Sequence, residues 1–236
     1  MKTVMKTTIR MPLSYAILGG LILIAAVTLY LFFGTEDPKL STIIGGICGG
    51  VIVYIISFLI SIYEYRSIDR FRELGVKEVL PNRRGTDYYA ELLGEASEIV
   101  VVTGTSCSRF IDDFANNDND DHVLLDALRK NKGLNVKLMV PLEKYMDELS
   151  KTKFASGEEK LRKLLSDFPG RIEMRRFNHE PRHSFVRVDK DLVVGPVFVE
   201  TESQDSPAIH LDVNSAYAGK YLHDFDRVWA NSQIFE

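Results

Sequence analysis

The stretch Glu180–Gly195, EPRHSFVRVDKDLVVG, sets Arg182, His183, Ser184, Arg187 and Asp189 in a run that otherwise reads as a buried strand. Unpaired polar groups are costly to bury, so these need a reaction, a charged ligand or a polar strand face. An imidazole near a hydroxyl and a carboxylate is material for nucleophilic or acid–base catalysis. Arginines are material for holding phosphate, because a guanidinium offers paired N–H donors and stays charged. Five arginines, Arg171, Arg175, Arg176, Arg182 and Arg187, face only Glu173 and Glu180 over residues 171–187. Four of the chain's 29 bases and two of its 33 acids precede Tyr63, so the remainder is more acidic than the overall charge of −4. A basic island on an acidic body favours one bound anion over general coating of nucleic acid. The alternative is that these arginines pair with carboxylates elsewhere.

A second group lies in TGTSCSR, Thr103–Arg109, after the apolar run EIVVV. Loops of this kind line the ligand crevice of open α/β sheets. Thr103, Thr105 and Ser106 could donate to phosphate oxygens and Arg109 could add charge. The alternative is an ordinary helix cap, with Ser106 or Ser108 leading into RFIDDF. Cys107 has no evident base beside it. His210 and His223 fall on an apolar strand and a helix and read as structural. No His/Cys/Asp spacing suggests a metal, no Walker-type glycine loop is present, and no cofactor is expected.

These residues need a scaffold, and the pattern supplies one. TDYYAELLGEAS, HVLLDALRKNKG, GEEKLRKLLSDFPG and SAYAGKYLHDFDRVWANSQ read as helices. EIVVVTGTS, NVKLMVPL, RIEMRRF, HSFVRVDKDLVVGPV and AIHLDV read as strands, the fourth as a pair. Helices alternating with hydrophobic strands predict an α/β domain whose sheet is covered on both faces. NNDNDD, Asn116 to Asp121, reads as an exposed loop.

In this order of elements, residues 79–236 resemble one half of a phospholipase D superfamily domain. The likeness rests on the strand ending at Asp189, the VVGP that follows and the closing helix with Phe225 and Trp229. It implies a mixed sheet covered by helices, pairing of two copies, and a His-x-Lys motif followed by Asp, in which the His attacks phosphorus. The motif is degenerate here. With Asp189 on the family's Asp, Arg182 replaces the His and Ser184 the Lys. With His183 on the family's His, Phe185 and Lys190 take the other two places. The first register is preferred because it keeps FVRVD on the strand. In it Arg182 and Ser184 share a face and form an arginine-based phosphate grip, with Arg187 on the other face and Arg176 nearby.

Before this domain lie two uncharged runs, residues 11–33 and 40–63, each long enough for a membrane-spanning helix. The first is too long for a signal peptide and has no small-residue cleavage site. The six residues between them predict a transmembrane hairpin over 1–63, followed by a helical neck, 64–78. Lys2, Lys6 and Arg10 precede the first run, and Arg66, Arg70 and Arg72 follow the second. The positive-inside rule therefore places both termini in the cytoplasm, with the hairpin in the plasma (inner) membrane. Gly45/Gly49 and Gly46/Gly50 are small-xxx-small pairs, serving either packing within the hairpin against Gly19 and Gly20 or packing between chains. With only Cys48 and Cys107, no disulfide framework is implied.

The function expected from these readings is a membrane-anchored homo-oligomeric sensor or effector, in contact with lipid. Its cytoplasmic domain would bind a nucleotide signal or oligonucleotide and control the spans, with an architecture like that of pore-forming anti-phage effectors. The alternative is a membrane-bound phosphodiesterase, a nuclease or phospholipid transferase, with His183 as the catalytic residue.

Overall fold

The computed structural model describes residues 2–116, 122–198 and 201–235, so most of the expected loop Asn116 to Asp121 lies outside the described residues. The chain divides into two compact units, Met1–Arg70 and Phe71–Glu236.

The first unit is built on α1 (Lys2–Gly34) and most of α2 (Pro38–Glu73). Both are long and apolar enough to cross a membrane. Asp37 sets the start of α2, its carboxylate accepting from Lys39 N at 2.9 Å, with Pro38 at the first helical position, where no N–H is needed. Partly buried positions recur at alternating spacings of three and four: Leu18, Leu21, Ala25, Thr28 and Phe32 on α1, and Ile44, Cys48, Val51, Ile55 and Phe58 on α2. That is the period of an interhelical seam. A Cβ on Gly45 would lie 3.1 Å from the Phe32 ring, whereas Gly19, Gly20, Gly46, Gly49 and Gly50 have nothing within 4 Å. Of the two packings weighed for these glycines, the one within the hairpin against Gly19 and Gly20 is not formed. Gly45 alone of the four α2 glycines sits on the seam, and the other three are exposed.

The second unit begins where α2 stops. Gly75 turns the chain at φ +75, where a side chain would be strained and where a Cβ would fall 2.2 Å from that of Ser215. The chain then enters β1 (Val76–Leu80), so a strand occupies part of the expected helical neck. Its burial pattern is weak because it lies on a sheet edge. The remaining elements are α3 (Thr86–Gly94), β2 (Ile99–Thr103), α4 (Ser108–Phe114), α5 (Val123–Lys130), β3 (Asn135–Pro141), α6 (Glu148–Asp167), β4 (Ile172–Phe177), β5 (His183–Val188), β6 (Asp191–Pro196), β7 (Ala208–Asp212), α7 (Ala216–Ala230) and β8 (Gln233–Ile234). Helix α6 starts well before the expected Gly157. Asp147 caps it by accepting from Ser150 N at 2.6 Å, and Phe154 on the added turns is buried.

The eight strands form one mixed sheet in the order β1-β7-β6-β5-β2-β3-β4-β8. Strands β2, β3 and β4 are parallel and all other neighbours antiparallel. Helices α3 to α6 cover one face, over Leu93, Leu128, Leu138, Leu161 and Met174. Helix α7 covers the other, over Phe185, Leu211, Phe225 and Trp229. Burial on both faces explains why β2 and β3 read as continuous apolar runs. Near one end of the sheet, His210 bridges Tyr88 Oη and Asp191 Oδ1, both at 2.5 Å, a structural tie between α3, β6 and β7.

Asp189 has its own structural role. It sits in the two-residue turn between β5 and β6 with φ 45, a left-handed conformation that aspartate tolerates better than most. Its carboxylate accepts from Ser97 N, Ser97 Oγ, Glu98 N and Ile99 N at 2.8–3.0 Å. Burial pushes this carboxyl up, but the hydrogen bonds from Ile99, Ser97 and Glu98 outweigh it and hold it below the usual range. The stability Asp189 supplies is thus present above the ordinary carboxylate pKa of about 4 and is lost as pH falls through its lower folded value. Asp189→Asn should cost about 1–3 kcal/mol at neutral pH, the scale of hydrogen bonds to a charged group. It should also flatten the loss of stability below about pH 4, both read from denaturant unfolding of the purified chain across pH.

Candidate functional site

The Thr103–Arg109 loop leaves the C-terminal end of β2. Thr103, Ser106 and Ser108 are buried. Cys107 is left-handed, φ 55, and supplies no side-chain cap to α4. Ser106 Oγ instead lies 2.9 Å from Ser108 Oγ. This loop forms one wall of a cavity of about 110 Å³.

The opposite wall is a residue outside the sequence reading. Arg83, in the turn between β1 and α3, is 8% exposed. Its Nη1 donates to Ser184 Oγ, its Nη2 to the Pro196 carbonyl at 3.3 Å, and its Nε is buried with no partner. No carboxylate pairs with it among the described residues. Burial pushes the guanidinium down, Tyr89 opposes this, and Arg109 adds to it. Two strands make room for it. Ser184 and Gly195 are partners on β5 and β6, and a Cβ on Gly195 would lie 2.4 Å from the Pro207 carbonyl and 3.3 Å from Arg83 Cζ. The glycine in VVGP is therefore required by the close Pro207 backbone, and it also leaves room beside the guanidinium.

Arg109 holds Arg83 in position. It donates from Nη1 to the Arg83 carbonyl at 3.0 Å, from Nη2 to the Arg84 carbonyl at 3.1 Å and from Nε to Asp113 at 3.1 Å. With two guanidinium groups and one carboxylate on its wall, the cavity carries a net positive charge. Burial raises the Asp113 carboxyl, against the pull of Arg109. Burial also pushes the Cys107 thiol up to about 12, so it is a protonated thiol and a poor nucleophile at neutral pH. No histidine lines this cavity. Among the described residues no group of three or more His, Cys, Asp or Glu is placed to hold a metal.

The expected residues divide into two sets. Thr103, Thr105, Ser106, Arg109 and Ser184 line the Arg83 cavity. Arg182, His183, Arg187 and Arg176 do not. Arg182 lies before β5, exposed, and borders a separate cavity of about 220 Å³ with His183 and Phe225, so the expected Arg182–Ser184 fork is not formed. His183 stands edge-on to Tyr221 at 5.3 Å on the α7 face. Burial pushes its imidazole down, with Asp224 opposing. Arg187 alternates with Ser184 along β5 and donates to the Asp189 carbonyl at 3.2 Å. Arg176 packs against the T-shaped pair Phe154 and Phe235, 4.7 and 5.0 Å from the rings. The basic island is largely structural: Arg171 binds the Leu128 and Leu134 carbonyls, and Arg175 packs 4.8 Å over Trp229 beside Glu173.

No protein-family model and no curated protein sequence matches this chain. Among the solved structures similar to it are two with low scores. One is TrmBL2, an archaeal chromatin protein with a novel mode of DNA binding, with TM-score 0.43 and 12% identity over 79% of this chain and 70% of that one. The other is phosphatidylserine synthase of Haemophilus influenzae Rd KW20, with TM-score 0.46 and 10% identity over 67% of this chain. The chain spans 39% of the length of that synthase. At these scores neither likeness carries an argument about this protein.

Gly195→Ala tests the packing around Arg83. The new methyl must displace the Pro207 backbone and presses on the guanidinium. The expected cost is about 1–3 kcal/mol, the scale of overpacking a core. Thermal unfolding of the variant measures it, and an unchanged midpoint would show that the gap is not needed.

Proposed function

We propose that this chain is a membrane-anchored, phospholipase D-like binding protein whose second unit seats the phosphate group of a ligand in the Arg83 cavity and does not hydrolyse it. One observation carries the reading: a buried arginine with no acid paired to it, opening on a cavity lined by Thr105, Ser106 and Ser184. A buried, unpaired charge is costly, and an anion delivered by a ligand is the missing partner. Phosphate suits it, because its oxygens accept from a guanidinium and several hydroxyls together. The cavity also lacks an imidazole, and its one thiol is held protonated, which speaks for binding over turnover.

The wider form of the proposal is a homo-oligomeric sensor or effector. A nucleotide signal or oligonucleotide would be the ligand, and α1 and α2 would span the plasma (inner) membrane and give the response. That includes opening a pore in the manner of an anti-phage effector. A ligand shifts such a response only by binding the two states unequally. The phosphodiesterase alternative needs His183 as nucleophile, and His183 lies on the α7 face, opposite Ser184 on β5.

The test is calorimetric titration of the detergent-purified full chain with inorganic phosphate. Arg83→Met should lose at least about tenfold in affinity, about 1.4 kcal/mol, and change folding stability by no more than about 2 kcal/mol. Arg182→Ala should leave affinity within about twofold, under 0.5 kcal/mol. The reverse pattern would move the seat to the α7 face. Cleavage of a phosphodiester probe, abolished by His183→Ala, would make the protein an enzyme.

A further inference from the structure

The Arg83 cavity has a neighbour on the side of Thr105 and Ser203. A second cavity, of about 260 Å³, shares Thr105, Ser106, Arg109 and Ser203 with it. Each alone falls short of the roughly 300 Å³ at which small-molecule sites begin, and together they exceed it.

The chemistry of the wall changes along this joined space. At one end is the unpaired Arg83. Bordering both cavities, Thr105 and Ser203 offer hydroxyls, and on the second cavity Ser150 and Gln204 add a hydroxyl and an amide, groups that both donate and accept. The acids nearby are already engaged. Asp147 caps α6 through Ser150 N at 2.6 Å, and Glu202 takes Lys153 at 2.9 Å and Gln204 at 2.7 Å. At the far end stand Leu149 and Phe198, 50% and 47% exposed. Beyond residue 75 only four large apolar side chains are exposed among the described residues: Val79, Leu149, Phe198 and Ile234. Val79 and Ile234 lie on edge strands, and the other two line this one cavity.

A cation, then hydroxyl partners, then an open apolar face with an aromatic ring match phosphate, sugar and heterocyclic base in that order. We infer that the joined cavities seat one nucleoside 5′-phosphate, with its phosphate at Arg83, its ribose against Ser203 and Gln204, and its base on Phe198 and Leu149. The inference rests on the reading of Arg83 as the phosphate seat. It also implies weak choice among bases, because stacking on an aromatic ring accepts any of them.

Titration of the detergent-purified full chain with inorganic phosphate, AMP, ribose 5-phosphate and glycerol 3-phosphate tests it. AMP should bind at least about tenfold tighter than phosphate. Phe198→Ala should weaken AMP at least about fivefold, the low end of what stacking a base is worth, and leave phosphate unchanged. Phe198 is half exposed, so its loss spares the fold, which circular dichroism checks. AMP no tighter than phosphate, or AMP indifferent to Phe198→Ala, overturns the nucleotide seat and leaves Arg83 as a phosphate site. Ribose 5-phosphate or glycerol 3-phosphate as tight as AMP overturns the base position and assigns the cavity to a sugar phosphate or a lipid headgroup. Binding of none of the four overturns this inference and the phosphate seat together.

Discussion

The guanidinium of Arg83 is held by neutral groups alone, and the surrounding structure is arranged around that fact. Ser184 and Pro196 take its two terminal nitrogens. Gly195 leaves the room, and Arg109 clamps the backbone on which it sits. A charge removed from water without a counter-ion is one of the most expensive things a fold can contain. Here four separate segments, the turn after β1, the start of α4 and strands β5 and β6, are aligned to keep it. None of them needs an arginine to fold. The arrangement makes sense as a receptor for negative charge, with Thr105 and Ser106 of the Thr103–Arg109 loop lining the same cavity.

Much of the architecture was legible because the patterns were strong. The apolar runs of β2 and β3 are buried on both faces, and the spacing of Leu222, Phe225 and Trp229 marks the one helix that covers its side of the sheet. What escaped the sequence has physical reasons. β1 is an edge strand with three exposed residues in five, so no burial pattern announces it. β8 is two residues long. The first turns of α6 are polar apart from exposed Leu149 and buried Phe154, and a cap rather than a stripe begins them.

The site was legible by half. A loop after a buried strand, rich in hydroxyls, is a local signal, and five of the expected residues do line one cavity. The arginine that completes it lies about a hundred positions from its partner Ser184, in a turn just past the expected neck. Gly195 held the only trace of it. Conversely, the conspicuous arginines of residues 171–187 attract attention because they are crowded in sequence. Strand alternation then sends them to opposite faces, where carbonyls and rings absorb Arg171, Arg175 and Arg176. Asp189 illustrates the same hazard: a residue that fits a catalytic motif serves here to hold backbone N–H groups.

That grip joins residues ninety or more positions apart. On a growing chain, the two apolar helices and the first three strands emerge long before the turn that completes β2. Until the β5–β6 hairpin is synthesised, the amides of residues 97–99 lack their carboxylate and Arg83 lacks Ser184. Such long-range closure slows folding and prolongs exposure of apolar surface. The last third of the chain is therefore the step on which assembly of the second unit waits, and by then α1 and α2 have already left the ribosome.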